Sequence, residues 1–265
     1  MDIAEDVAEP DSEPWGAQAR DWAEVQESTI HPVSLAVLGE LGPWPERSLL
    51  DLGCGAGEFA RLAGARGAVV SGLDASSALV EIARTRNPAG RFLVGDMEHI
   101  PFPDAQFSVT TAFNSLHFAR DATRVVAEAA RVTRAGGHIV VATWGPLPGC
   151  DAMAYFLDLG GLLPFDPYDT EPALDLSDPG TLRGLLSHAG LVPSPWRIVA
   201  CPWKYHDLDT ALRGLLSTGP AARAISYSGR ERVVETITES ISPYRRTDGS
   251  YSLHNTCFYV IATRI

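Results

Sequence analysis

Cysteine is scarce in this chain. The four present (Cys54, Cys150, Cys201 and Cys257) stand far apart in sequence and form no CxxC pair. A disulfide framework and a structural zinc site are therefore not expected, and the chain reads as cytoplasmic. Long apolar runs are missing too, since no stretch approaches the roughly 18 residues that span a bilayer. The N-terminus carries acids instead of a basic stretch followed by an apolar one, so no secretory signal is expected. Bases are few: 21 Lys and Arg face 33 Asp and Glu, a net charge of −12. That balance argues against nucleic acid and anionic membrane as partners. Internal repeats, low-complexity tracts and coiled-coil heptads are likewise absent.

What is present is a globular composition, 45% hydrophobic and 20% charged over 265 residues. That length can bury the core of one large α/β domain. Residues 1–14 hold six acids, two prolines and no base, which predicts a disordered acidic tail before a folded region over 15–265. The later part of 15–44 has helical spacing and ends near Gly42-Pro43. From residue 47, short apolar runs alternate with helical patterns. Strands are predicted over 48–52, 68–73, 91–95, 107–113, 138–144, 196–205 and 250–264. Helices are predicted over 58–65, 76–86 and 121–134, with Gly136-Gly137 as the last stop. Further helices are expected near 152–163 and 178–189, with two more over 207–242. This alternation means an α/β fold built on a doubly wound, mostly parallel sheet.

The sharpest motif is Asp51-Leu52-Gly53-Cys54-Gly55-Ala56-Gly57, directly after the first strand and opening a helix. Glycines there let the backbone turn tightly and let a ligand lie against bare amides. The dinucleotide fingerprint needs a glycine where Glu58 stands, and a carboxylate there opposes a pyrophosphate. A ligand without phosphates is favoured. Asp74 closes the second strand, where an acid can accept both ribose hydroxyls or can cap the next helix. Asp96-Met97 follows the third strand and suits the amine and ring face of adenine. Asn114-Ser115-Leu116-His117 follows the fourth. All four motifs lie at carboxyl ends of consecutive strands, where open α/β sheets bind ligands.

Together, Leu49–Phe59, Ser71–Ser76, Gly95–Phe102, Phe107–Phe118 and Arg131–Trp144 resemble class I S-adenosylmethionine-dependent methyltransferases. The resemblance is to the branch related to ubiquinone- and menaquinone-biosynthesis enzymes and bacterial small-molecule methyltransferases, and it covers residues 15–145. Ala135 stands where the family usually has proline. The resemblance implies a seven-stranded Rossmann-like sheet with the last strand antiparallel, S-adenosyl-L-methionine as cofactor, and lid segments near 145–172 and 205–245. By position it implies that Gly53, Cys54 and Gly55 pack against the amino-acid part of the cofactor, with Asp51 close by. It implies that Asp74 binds the ribose, that Ala75 and Leu79 flank the adenine, that Asp96 and Met97 hold its edge and face, and that Asn114 lines the sulfonium end. Trp15, Arg20 and Trp22 fall in the N-terminal segment that closes over the cofactor in relatives.

The reaction so implied is displacement of a methyl group from sulfur by an O, N or C atom of a small acceptor, with alignment as the protein's main contribution. His117 is the candidate general base, because an imidazole titrates near neutrality. Aromatic residues of the lid, Tyr155, Phe156, Phe165, Tyr168, Trp203, Tyr205 and Tyr227, suit a planar acceptor; Trp15, His117, Tyr155 and Tyr168 are the candidate contacts. The other histidines show no metal-ligand spacing, so no metal is expected. The alternative is a same-fold cofactor binder that catalyses another reaction such as a cyclisation, or that only regulates. A nucleotide-dependent reductase is disfavoured by Glu58, and the protein is expected to be a monomer or homodimer.

Overall fold

The computed structural model describes residues 13–145, 149–164 and 174–265. Nearly all of the expected acidic tail, together with Phe165 and Tyr168, lies outside them. Two helical turns, α1 (Glu13–Gly16) and α2 (Ala19–Asp21), lead through a π-turn (Trp22–Gln26) and a 3-10 turn (Glu27–Ile30) into α3 (His31–Leu41). The alternation then runs β1 (Ser48–Leu52), α4 (Glu58–Gly64), β2 (Val69–Asp74), α5 (Ser77–Arg86), β3 (Arg91–Val94), β4 (Phe107–Phe113), α6 (Ala122–Val132) and β5 (Thr133–Trp144). Beyond it come α7 (Ala152–Gly160), α8 (Pro179–His188), β6 (Leu191–Pro193), β7 (Arg197–Ala200), β8 (Trp203–Tyr205), α9 (Leu208–Leu216), α10 (Gly219–Ser228), α11 (Arg230–Ile241), β9 (Tyr251–Leu253) and β10 (Thr256–Arg264).

The main sheet has the order β3-β2-β1-β4-β5-β10-β6, with β7 also paired to β10. Strands β1 to β5 are parallel. β10 runs antiparallel to β5, as expected. β6 and β7 pair with successive stretches of β10, so eight strands occupy seven positions. The central strand β1 shows why the sheet is covered on both sides. Leu49 enters a cluster with Val37 and Leu38 of α3 and Phe59 of α4, while Leu50 and Leu52 enter another with Val125 and Val126 of α6 and Leu182 of α8. Successive side chains of a strand point to opposite faces, so one apolar strand feeds two cores. The strand order reverses between β1 and β4, which opens a crevice at their carboxyl ends.

The helix caps follow the sequence. Ser76 accepts from the Leu79 amide, and Asp121 accepts from Thr123 and Arg124. Several boundaries differ from those predicted. Gly136-Gly137 does not stop α6; the chain leaves the helix at Thr133, and both glycines lie within β5. The Thr133 hydroxyl meets Thr110 of β4 at 2.6 Å, which ties this early strand entry into the sheet. The 196–205 strand breaks at Cys201-Pro202 into β7 and β8, and the 250–264 strand breaks at His254-Asn255 into β9 and β10. Proline cannot donate to a ladder, and the buried Asn255 turns its Oδ1 to the Ala152 amide at the start of α7 (2.9 Å). β8 and β9 form a separate two-stranded sheet. The 207–242 segment contains three helices, not two, because Thr218 caps α10 and Gly229 separates it from α11.

Helices α7, α9, α10 and α11 share a further core with Trp203, Tyr205, Tyr251 and Leu253. The N-terminal segment docks onto this layer. Gln18 donates to the Leu216 carbonyl, and Tyr205 donates to Gln26 Oε1 at 2.7 Å. Arg213 pairs with Asp21 and Glu24. No described helix is long and apolar enough to cross a membrane.

Candidate functional site

The glycine loop after β1 is shaped by three left-handed residues, Gly53 (φ 67°), Gly55 (φ 54°) and Gly57 (φ 81°). At Gly53 the need is steric as well, since a Cβ would lie 2.3 Å from the Ser115 Cβ. The Gly53 and Cys54 amides both donate to the Leu73 carbonyl, which holds the loop against β2. Asp74 accepts from the Gly55 amide (2.8 Å) and from the Ser76 amide (2.9 Å). It therefore orients both the loop and the entry to α5, and each carboxylate oxygen keeps a lone pair for a ligand hydroxyl.

Acidic groups surround this loop from below. Asp51, 3% exposed, accepts from the Thr111 hydroxyl at 2.6 Å, and burial pushes its carboxyl up to about 7. Burial also raises Asp74. Glu27, 5% exposed, ion-pairs with Arg86 at 2.5 Å; desolvation nevertheless outweighs that partner and pushes the carboxyl up to about 7. The Cys54 thiol is raised by burial and by these acids, so it stays protonated. A cationic ligand relieves all of these penalties at once, because it favours the charged carboxylates.

Two buried polar atoms at the site have no hydrogen-bond partner among the described residues, Trp22 Nε1 and Asn114 Oδ1. Trp22 Nε1 would be 3.4 Å from a Cβ on Gly55. Asn114, at φ 49°, holds a left-handed conformation at the end of β4, and its amide meets the Cys257 thiol on β10. Strained backbone and unpaired buried groups mark a place prepared for a ligand. The donor set, with its hydroxyl acceptor at Asp74, bare glycines and nearby acids, fits S-adenosylmethionine.

Trp15, Trp22 and Leu79 converge here. Leu79 is buried beside Trp15, Trp22 and Ala56, and Ala75 is exposed at the rim. Trp15 meets Trp22 edge-on at 5.0 Å and Phe118 at 5.1 Å. Asp96 accepts from the Glu98 amide and lies 3.0 Å from His99, with Met97 packed against the core. Arg20 is exposed. His117 sits on the turn after β4, its ring 4.1 Å from that of Phe118. His117 is an exposed residue, yet desolvation pushes the pKa of its ring down, so the imidazole is neutral at pH 7.

Tyr155 needs a larger correction. It is 1% exposed, and its hydroxyl donates to the Leu215 carbonyl and meets the Thr218 hydroxyl, so it ties α7 to α9 from within the core. Trp203 and Tyr205 are buried in the same core, leaving Phe156 half-buried and Tyr227 exposed. Tyr168 lies outside the described residues. Glu58 does not face the loop as an open charge: it pairs with His31 at 2.6 Å and with Arg61, and these partners lower its pKa. Among the described residues no three His, Cys, Asp or Glu side chains are grouped to hold a metal. Sequence reasoning missed Glu27 and Arg86. Glu27 lies 28 residues before Gly55 in a segment without a motif, and only its unusual burial identifies it.

Comparison with known proteins bears on this geometry. A family described as "Methyltransferase domain" matches residues 50–141, the stretch from β1 into β5. A malonyl-[acyl-carrier protein] O-methyltransferase from Serratia marcescens is 37% identical over 107 residues, which are 40% of this chain and 42% of that protein. A demethylmenaquinone methyltransferase from Thermotoga maritima is 40% identical over 100 residues, 37% of this chain and 43% of that protein. The matches thus span less than half the length of these relatives. Among solved structures, the YcgJ protein from Bacillus subtilis superposes with a TM-score of 0.59 at 20% identity, covering 88% of this chain and 98% of that one, which is likeness of fold.

Proposed function

We propose that the chain is a class I S-adenosylmethionine-dependent methyltransferase, a reading supported by the match of residues 50–141 to a methyltransferase domain family, and that it methylates an oxygen of a small organic acceptor. The observation that carries the reading is the cradle at β1 and β2: glycines at left-handed φ, Asp74 on the Gly55 amide, and the unpaired Trp22 Nε1 above them. When bound, the cofactor supplies an electrophilic methyl group on a sulfonium. The Serratia relative, by its name, is an O-methyltransferase, and this favours oxygen over nitrogen or carbon as the acceptor atom. A specialised or quinone-like metabolic setting follows the family branch.

The chain's own residues orient and shield. Asp74 and Leu79 fix the nucleoside end, and Asp96 with Met97 its base. Asn114, held by the Cys257 thiol, lines the reacting end. The N-terminal turns and the layer of α7, α9, α10 and α11 exclude water from above. His117, neutral at pH 7, accepts the proton that the acceptor hydroxyl loses.

The test is turnover with radiolabelled S-adenosylmethionine against a panel of hydroxylated small acceptors, read as labelled product and S-adenosylhomocysteine. With a working acceptor, His117→Ala should lower kcat by roughly 10²-fold and leave cofactor affinity within twofold. The neutral imidazole is the active form and the loss of water around it lowers its pKa to about 4, so the wild-type rate should hold through pH 6 and fall only as the pH approaches that value. A mutant within about threefold of wild type, with an unchanged pH profile, removes His117 from the mechanism.

A further inference from the structure

At the edge of the sheet opposite the glycine loop lies a cleft that the proposed reaction does not use. Its volume is about 460 Å³, which is the size of a small-molecule site. Arg47 lines it directly before β1, and the glycine loop follows β1, about 20 Å away at ~3.3 Å per residue. The guanidinium stacks over Trp44 at 5.8 Å, and Trp44 is itself fixed by its indole N–H on the Leu38 carbonyl (2.8 Å). Arg47 Nη1 is nevertheless buried without a hydrogen-bond partner, and no ion pair of this guanidinium forms among the described residues. An arginine kept only for packing would cover Trp44 with its stem and flat face and leave its nitrogens in water. A buried cation without an anion is costly, so what Arg47 lacks is a negative charge.

The acid beside it does not supply one. Glu40 lines the same cleft, but its Oε2 accepts from the Tyr259 hydroxyl and its Oε1 lies 3.8 Å from Arg197. His138 meets the Thr263 hydroxyl at 3.4 Å; burial and the Arg47 charge lower its pKa, so it is neutral at pH 7. The cleft therefore offers one unpaired cation, and Glu40 opposes a second negative charge in the ligand. Val192, Pro193 and Ile261 add an apolar wall. A carboxylate presents two oxygens that match the guanidinium fork, and a hydrocarbon body matches the wall.

We propose that this cleft is a second ligand site, separate from the cofactor crevice, for a small monocarboxylate with an apolar body: the Arg47 guanidinium holds the carboxylate, and Val192, Pro193 and Ile261 cover the hydrocarbon. The site stands whether or not the other crevice holds S-adenosylmethionine.

The experiment is a titration of the full chain followed by amide proton–nitrogen correlation spectra, with hexanoate, hexanol and inorganic phosphate as probes. Hexanoate should shift the Gly42, Arg47, His138 and Val192 amides and saturate with a Kd on the order of 1 mM. Hexanol, the same body without the charge, should bind at least tenfold more weakly, and so should phosphate. Arg47→Gln should weaken hexanoate at least tenfold. Val192 is 52% exposed, so Val192→Glu carries the test if Arg47→Gln does not fold; the added acid should also weaken hexanoate at least tenfold. Equal binding of hexanoate and hexanol would reduce the cleft to an apolar surface and overturn the proposal. Phosphate binding as tight as hexanoate overturns the ligand class, and full hexanoate affinity in a folded variant overturns the role of the charge. Shifts confined to the carboxyl edge of the sheet, or no shifts, overturn the site itself.

Discussion

Gly53→Ala is expected to reduce cofactor affinity at least 100-fold and to destabilise the protein by about 2–5 kcal/mol. Two independent costs combine. Gly53 has φ 67°, where an L side chain pays roughly 1–2 kcal/mol. The added Cβ would stand 2.3 Å from the Ser115 Cβ and 2.9 Å from its Oγ. Ser115 cannot swing away freely, because it is buried and its hydroxyl donates to the Leu52 carbonyl at 2.7 Å. Forced overpacking of this kind costs about 1–3 kcal/mol. The loop must shift to relieve it, and the shift moves the Gly55 amide off Asp74. Gly136→Ala separates the two costs: its φ is 71°, but nothing lies within 4 Å of the new Cβ, so it should cost only about 1 kcal/mol. Urea unfolding and calorimetry measure both effects. In a double-mutant cycle, adding Ser115→Gly should restore part of the stability lost in Gly53→Ala. Wild-type stability in Gly53→Ala would refute the steric account.

The cradle was legible in the sequence because it is local. The glycine spacing of the Asp51–Gly57 loop and the Ser76 cap depend on residues a few positions apart, and Asp74 is marked by its place at the end of a strand. Their convergence followed from strand alternation, since parallel strands joined by helices bring their carboxyl ends to one edge. What escaped depends on distant partners. Glu27 acquires meaning only through Arg86, 59 residues away. Tyr155 looked like an acceptor contact because aromatic residues also suit ligand walls, and only the Leu215 and Thr218 hydrogen bonds identify it as a strut. The break at Cys201-Pro202 carries its own signal in the proline, whereas the one at His254-Asn255 is fixed by the contact of Asn255 with the distant Ala152 amide. Three of the four cysteines, far apart in sequence, meet around β10: Cys150 donates to the Thr256 carbonyl, and Cys201 and Cys257 are hydrogen-bonded neighbours.

Asp51→Asn should move stability and binding in opposite directions. Asp51 is buried, with one hydroxyl partner and Asp74 nearby, and burial raises its carboxyl from 3.8 to about 7. A pKa raised in the folded state means that stability is full at low pH and declines as pH rises to about 7, above which the loss is complete. The empty wild-type protein thus carries a penalty at pH 8. Asparagine keeps an oxygen for the Thr111 hydroxyl and removes the charge, so Asp51→Asn should stabilise the empty protein at pH 8 by on the order of 2 kcal/mol. The gain should shrink toward pH 4, where wild type is itself neutral. Binding responds the other way. A cofactor of net positive charge favours ionised carboxylates, so wild-type affinity should rise from pH 6 to 8 as Asp51 and Glu27 lose protons. Asp51→Asn should bind S-adenosylmethionine at least tenfold more weakly at pH 8, with a flatter rise. Neutral-sulfur S-adenosylhomocysteine should lose less than the sulfonium form, because the missing charge matters most to a cation. Thermal melts of the empty protein and calorimetry from pH 6 to 8.5 provide both readings. An Asp51→Asn protein that is less stable than wild type at pH 8, yet binds S-adenosylmethionine equally well, would mean that Asp51 serves the architecture of β1 and not the charge of the site.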